Sequence, residues 1–139
     1  MAERKKAIQA VGTRKRSVAR ATIRPGNGSI TINSKSLALI EPAYVRMRLR
    51  EPIMVAPEDL VTKVDIDVNV RGGGIWGQAD AARTAIATAL VKWSGSKELR
   101  HVYHDYDRTL LVSDSRRTEP HKPSRSTAGP RRTKQQSRR

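Results

Sequence analysis

The sequence predicts an α+β domain: a mainly antiparallel sheet with helices packed on one face, followed by an extended basic C-terminal tail. Three observations predict it. Residues 64–70 alternate without a break between Val or Ile and Asp or Asn, the pattern of a strand with one covered face and one wet face. Residues 78–93 repeat apolar side chains at three- and four-residue steps, the pattern of an amphipathic helix. The charge is also divided unevenly. The 139 residues carry a formal net charge of +15. Residues 1–24 hold 8 basic and 1 acidic residue, and residues 113–139 hold 9 and 2. Residues 25–112 hold 11 and 10, so the middle is an ordinary near-neutral domain with a basic segment at each end.

The elements follow in order. Residues 1–11 read as a basic N-terminal extension, residues 12–112 as the domain and residues 113–139 as the tail. Residues 17–24 mix small, branched and basic side chains and suggest a strand. Pro25-Gly26-Asn27-Gly28 is a turn, and residues 29–33 place Ile30 and Ile32 on one face of a second strand. Together these predict an antiparallel hairpin. Residues 43–50 are open between strand and helix. Val45, Met47 and Leu49 alternate with arginines, yet Arg, Met and Leu favour helix and Glu41-Pro42 is a fair helix start. Glu51-Pro52 is expected to end either element. Residues 57–60 suggest a short helical turn with acidic residues at its start.

After the strand at 64–70 come the glycines and then the helix at 78–93, closed by Ser94-Gly95-Ser96. Its alanines let a backbone lie close to a sheet. A second helix is expected at 97–104, with Leu99, Val102 and Tyr103 inward. Thr109-Leu110-Leu111-Val112 should dock on the body before the tail departs. The tail has no Val, Ile, Leu, Met, Trp or Tyr, and it contains three prolines. Alone it cannot bury enough apolar area to offset its ordering entropy. Its guanidinium groups match phosphate oxygens, so an arm that orders on nucleic acid is favoured over a solvated tail.

Several function classes drop out. With no Cys there is no disulfide framework, no thiolate zinc site and no thiol catalysis. The apolar stretch after the basic start is too short for a signal peptide, and no apolar run reaches the roughly 18 residues of a membrane helix. Gly72-Gly73-Gly74-Ile75-Trp76-Gly77 matches the dinucleotide-binding spacing. However, the preceding strand carries Asp65 and Asp67 on one face, where a dinucleotide-binding fold buries both faces. The glycines read instead as a tight turn with close helix–sheet contact, or as backbone N–H groups that meet an RNA phosphate. His101, His104 and Asp105 read as surface or RNA-contacting residues rather than a metal site. No G-x-S-x-G elbow surrounds any serine, and nothing argues for an enzyme. Trp93 follows the helix period and reads as core; Trp76, Tyr44 and Tyr106, where exposed, can stack on bases.

Three blocks, spread across nearly the whole chain, resemble the ribosomal S-nine family of the small ribosomal subunit. The first is residues 12–20 leading into 25–33. The second is Gly72-Gly73-Gly74-Ile75-Trp76-Gly77-Gln78-Ala79-Asp80-Ala81-Ala82-Arg83. The third is residues 107–120, which with residues 80–87 looks archaeal in type. The resemblance implies a fold like domain two of ribosomal protein S-five and binding to small-subunit rRNA in the head. It also implies a C-terminal tail that reaches the anticodon stem-loop of peptidyl-site tRNA. The chain departs from the family's pattern at 121–129, at Thr88 and at Arg138.

The expected rRNA-binding residues are Arg14, Lys15, Arg16, Arg20, Arg71, Arg116, Arg117, Lys122, Arg125, Arg131, Arg132 and Lys134. Arg138 and Arg139 are expected at the tRNA, and Gly72, Gly73, Gly74 and Gly77 form a structural turn. Neighbouring proteins of the subunit head are expected partners. No cofactor, metal, membrane or small-molecule substrate is expected, and the location is the cytoplasmic ribosome. The rival class is a free nucleic-acid chaperone or architectural nucleic-acid-binding protein.

Overall fold

The computed structural model describes residues 6–121. It shows a mixed five-stranded sheet with its helices on one face. The strands are β1 (Ile8–Arg14), β2 (Ser17–Pro25), β3 (Ile30–Ile32), β4 (Lys35–Ser36) and β5 (Val64–Arg71). The helices are α1 (Ala43–Val55), α2 (Glu58–Val61), α3 (Ile75–Ser94) and α4 (Lys97–Tyr106). Their order across the sheet is β1-β2-β5-β3-β4, and only the β3–β5 pair is parallel.

Alternation sets the two faces. Ala19, Ala21 and Ile23 of β2 and Val64, Ile66, Val68 and Val70 of β5 point to the helices and are buried. Val18, Arg20, Asp67, Asn69 and Arg71 point away from them and are exposed. The helix α3 lies across β1, β2 and β5 with Ala79, Ala82, Ile86, Leu90 and Trp93 buried. Its close approach depends on Gly12 of β1. A Cβ there would stand on the Ala81 carbonyl oxygen and 2.6 Å from the Ala85 backbone nitrogen. Gly95, at φ 63°, ends α3, and the Ser96 side chain then caps α4.

Four expectations need correction. β2 and β3 do not pair with each other, because β5 lies between them. The turn itself forms, but its backbone N–H groups turn to β5. Gly26 and Gly28 donate to the carbonyls of Lys63 and Val64, and the Asp65 carboxylate accepts from Asn27 and Ser29 at 2.9 and 3.0 Å. These bonds hold Asp65 below the usual carboxylate range, Ser29 and Asn27 contributing most. Residues 8–11, placed by sequence in the extension, belong to β1. Residues 43–50 are helix, and the helix runs through Pro52 to Val55. Pro52 sits in the last turn, where it lacks the N–H that would bond the Arg48 carbonyl one turn back, and its own carbonyl accepts the Tyr103 hydroxyl at 2.5 Å. Burial pushes that hydroxyl's pKa up. Val102 is exposed, because the buried line of α4 runs through Leu99 and Tyr103, four residues apart.

The 3₁₀ turn at Arg108–Leu110 buries Leu110 completely, as expected for the docking stretch, while Val112 is exposed. Among the described residues no helix is long and apolar enough to cross a membrane.

Candidate nucleic-acid interface

The expected basic residues of the body gather at one end of the sheet. Two residues, Lys15 and Arg16, join β1 to β2, with Arg14 paired to Ser17. Lys15 takes the positive φ of 52° that a two-residue hairpin requires. Beside it, Val18 of β2 lies opposite Arg71 of β5, and Arg20 lies between Val11 and Asn69. Lys15, Arg16, Arg20 and Arg71 are exposed, and none forms an ion pair among the described residues.

The glycine run after β5 packs against this hairpin tip. Gly72 and Gly73 have φ of 78° and 66°. A Cβ on Gly72 would stand 2.5 Å from the Arg16 carbonyl oxygen; one on Gly77 would stand 2.8 Å from Ser17 Oγ. A Cβ on Gly73 would overlap that same hydroxyl, which donates to the Gly72 carbonyl at 2.9 Å. Gly72, Gly73 and Gly77 thus act as the tight-packed turn, whereas Gly74 has open space around it. The result is a tightly packed tip that carries four exposed cationic side chains.

Arg14 has a different setting. Its side chain is mostly buried, and its guanidinium donates to Asp114 and lies 3.8 Å from Asp80. Arg116 reaches the same carboxylate at 2.6 Å while remaining exposed itself. The Arg116 hydrogen bonds, more than Arg14, hold Asp114 well below the usual carboxylate range. Thr13 and Ser113 share a hydroxyl–hydroxyl hydrogen bond of 2.8 Å. The root of the tail is therefore tied to the end of β1. Arg117 is exposed and, among the described residues, donates to the backbone carbonyls of Asp114 and Arg116. Lys122, Arg125, Arg131, Arg132, Lys134, Arg138 and Arg139 lie outside the described residues.

Behind Arg14 runs a seam that sequence reasoning missed. α1 and α3 lie side by side and are joined at a constant offset. Tyr44 stacks on Trp76 with ring centroids 4.5 Å apart, Arg48 pairs with Asp80 at 3.1 Å, and Glu51 pairs with Arg83 at 2.6 Å. Arg83 is nearly fully buried and also donates to Asp107 at 2.8 Å and to the Thr109 hydroxyl at 3.2 Å. Burial opposes ionisation of Asp107, but bonds from Thr109 and Arg83 outweigh it and bring its pKa down to about 2. One signal was available: Arg83 interrupts an Ala-rich stretch of α3 that is otherwise turned to the core. A lone cation in such a stretch calls for carboxylates, but their positions could not be read from spacing.

His101 and His104 are exposed on α4, and no group of His, Asp and Glu among the described residues could hold a metal ion. Trp93 is buried, whereas Trp76, Tyr44 and Tyr106 are exposed.

Comparison with known proteins matches residues 12–139 to the family described as ribosomal protein S9/S16. The chain is 52% identical over 132 residues to the small ribosomal subunit protein uS9 of Methanococcus maripaludis strain C7. That match covers 95% of this chain and 98% of that protein. The homologues of that name from strain C5 of the same species and from Methanococcus vannielii are 52% and 51% identical, with the same coverage.

Proposed function

The chain belongs to the ribosomal protein S9/S16 family, as an archaeal-type member and a structural constituent of the small ribosomal subunit rather than an enzyme, and on that premise we propose how it engages RNA. Its partners are rRNA and other proteins of the subunit, on the cytoplasmic ribosome. The hairpin tip grips small-subunit rRNA in the head through Lys15, Arg16, Arg20 and Arg71. The observation that carries this reading is the tip itself: four exposed cations, without an ion pair among the described residues, on backbone that packs tightly against the Gly72–Gly73 turn. A preformed charge array loses little entropy on binding a phosphate backbone. Arg116 and Arg117 extend the array along the root of the tail. Arg14 acts from behind, by holding the tail root, rather than by meeting a phosphate.

This division of labour is testable with the full chain and an rRNA fragment from the head. Replacing Arg16, Arg20 or Arg71 singly by Ala should each reduce the magnitude of the log-affinity against log-salt slope by roughly 0.7–0.9. Arg14→Ala should lower the melting temperature and leave the slope nearly unchanged. An unchanged slope in the first three variants would remove the tip from the interface.

The tail, in this reading, orders on rRNA and presents Arg138 and Arg139 to the anticodon stem-loop of peptidyl-site tRNA. Its support is composition: residues 113–139 hold nine basic residues and no side chain larger and more apolar than Pro with which to fold alone. Deleting Arg138 and Arg139 should weaken tRNA affinity at the peptidyl site of intact subunits, most strongly at low salt. Equal affinity across salt concentrations would rule the contact out.

A further inference from the structure

The seam between α1 and α3 opens at its start into an apolar groove of about 290 Å³. Its floor includes Ile32, Ile40, Val45, Leu49, Val70 and Ile75. At this end of the two helices the stacked rings of Tyr44 and Trp76 remain 46% and 58% exposed. Ile75, which lines the groove, is 58% exposed. Three large apolar side chains thus meet solvent at or beside one groove: Ile75 lines it, and Tyr44 and Trp76 are the chain neighbours of the lining residues Val45 and Ile75. Such a patch on a highly charged protein marks an interaction site rather than the scattered exposure of a normal surface.

From this we infer that the groove and the Tyr44–Trp76 stack beside it dock an apolar segment of a neighbouring small-subunit protein. Three observations select that occupant. Residues 1–5 and 122–139 offer little with which to fill the groove, since they contain Met1 and no other Val, Ile, Leu, Met, Phe, Trp or Tyr. A second copy brings another +15 of charge, which opposes self-association. The groove is lined by one cation and one anion, Lys35 and Glu41, so it offers no net charge to a phosphate backbone. An uncharged apolar segment fits that lining. The aromatic stack beside it supplies the large, rigid contact area typical of residues that dominate protein–protein binding energy. Ile75 follows Arg71 by four residues, so such a partner would sit beside the rRNA gripped by the tip.

The inference rests on the chain's place in the small subunit, and the test separates the two. A photoreactive benzoylphenylalanine is placed at Trp76 in one variant and at Ile75 in another. Small subunits are assembled in cells, isolated by sedimentation, illuminated and analysed by mass spectrometry. Both positions should join to the same apolar segment of one other subunit protein. Adding Ile75→Glu to the Trp76 variant should lower that yield about tenfold, the loss of one central interface contact. Crosslinks to rRNA alone, crosslinks to a second copy, or co-sedimentation with no crosslink at either position would each overturn the docking surface. Failure of both variants and of the unmodified chain to co-sediment with subunits would instead overturn the ribosomal assignment on which it rests.

Discussion

Gly12→Ala is expected to cost about 3 kcal/mol or more and to lower the melting temperature by about 10 °C. The added methyl would overlap the Ala81 carbonyl oxygen and crowd the Ala85 backbone nitrogen. Both are backbone atoms of a 20-residue helix, so no side chain can swing aside. Either α3 lifts off the sheet or β1 moves, and each loosens the packing of Ala10, Ala19 and Ile86. Gly74→Ala is the matched control. Its Cβ would meet nothing, its φ is negative, and its effect should stay within about 0.5 kcal/mol. Thermal denaturation of the two variants decides the matter. Equal melting temperatures would show that the sheet–helix spacing is slack.

The second large effect is expected at Arg83. Replacing Glu51 by Gln and Asp107 by Asn together strips a buried guanidinium of both carboxylates. Leaving an uncompensated buried charge typically costs about 3–5 kcal/mol. Arg83→Met should cost less, because Glu51 and Asp107 each keep about a quarter or more of their side-chain surface in water and can be solvated alone. A greater loss in Arg83→Met than in the double variant would contradict this ordering. The pH dependence has a definite sign. Asp107 has its folded pKa depressed to about 2, so the stability it contributes is present above its ordinary carboxylate range. That stability is lost as pH falls from about 4 through 2. Asp107→Asn should therefore flatten part of the acid limb of a denaturation profile. Asp114, also depressed by Arg116, should supply another part.

How much of this was legible depended on how far apart the determinants lie in the chain. β5 and α3 each carry their period within a single stretch, and both emerged where expected, α3 slightly longer at each end. The unequal charge division was equally local. β1 was not legible, because its inward residues Ala10 and Gly12 are small where α3 presses on them, and small side chains leave no apolar alternation to detect. The turn after β2 was read correctly but its partner was not, since the strand that receives β2 begins some forty residues later. Tyr103 and Leu99 obeyed helical spacing, yet Val102 could be excluded only by knowing where Pro52 lies. At the candidate site, the exposed cations were visible from composition. The separation of Arg14 from Lys15 and Arg16 was not, because Asp80 and Asp114 lie 66 and 100 residues away from it. Local patterns name the groups, and long-range pairing decides which of them are spent internally.

The insertion of β5 between β2 and β3 also orders events in time. As the chain leaves a translating ribosome, the β1–β2 hairpin can close at once, since its strands are two residues apart. β3 then emerges with no strand to pair with except the two-residue β4. The free edge of β2 waits until residues 64–71 arrive, and the central ladder cannot form before then. Assembly of the sheet is therefore a late, non-local step in the life of the nascent chain.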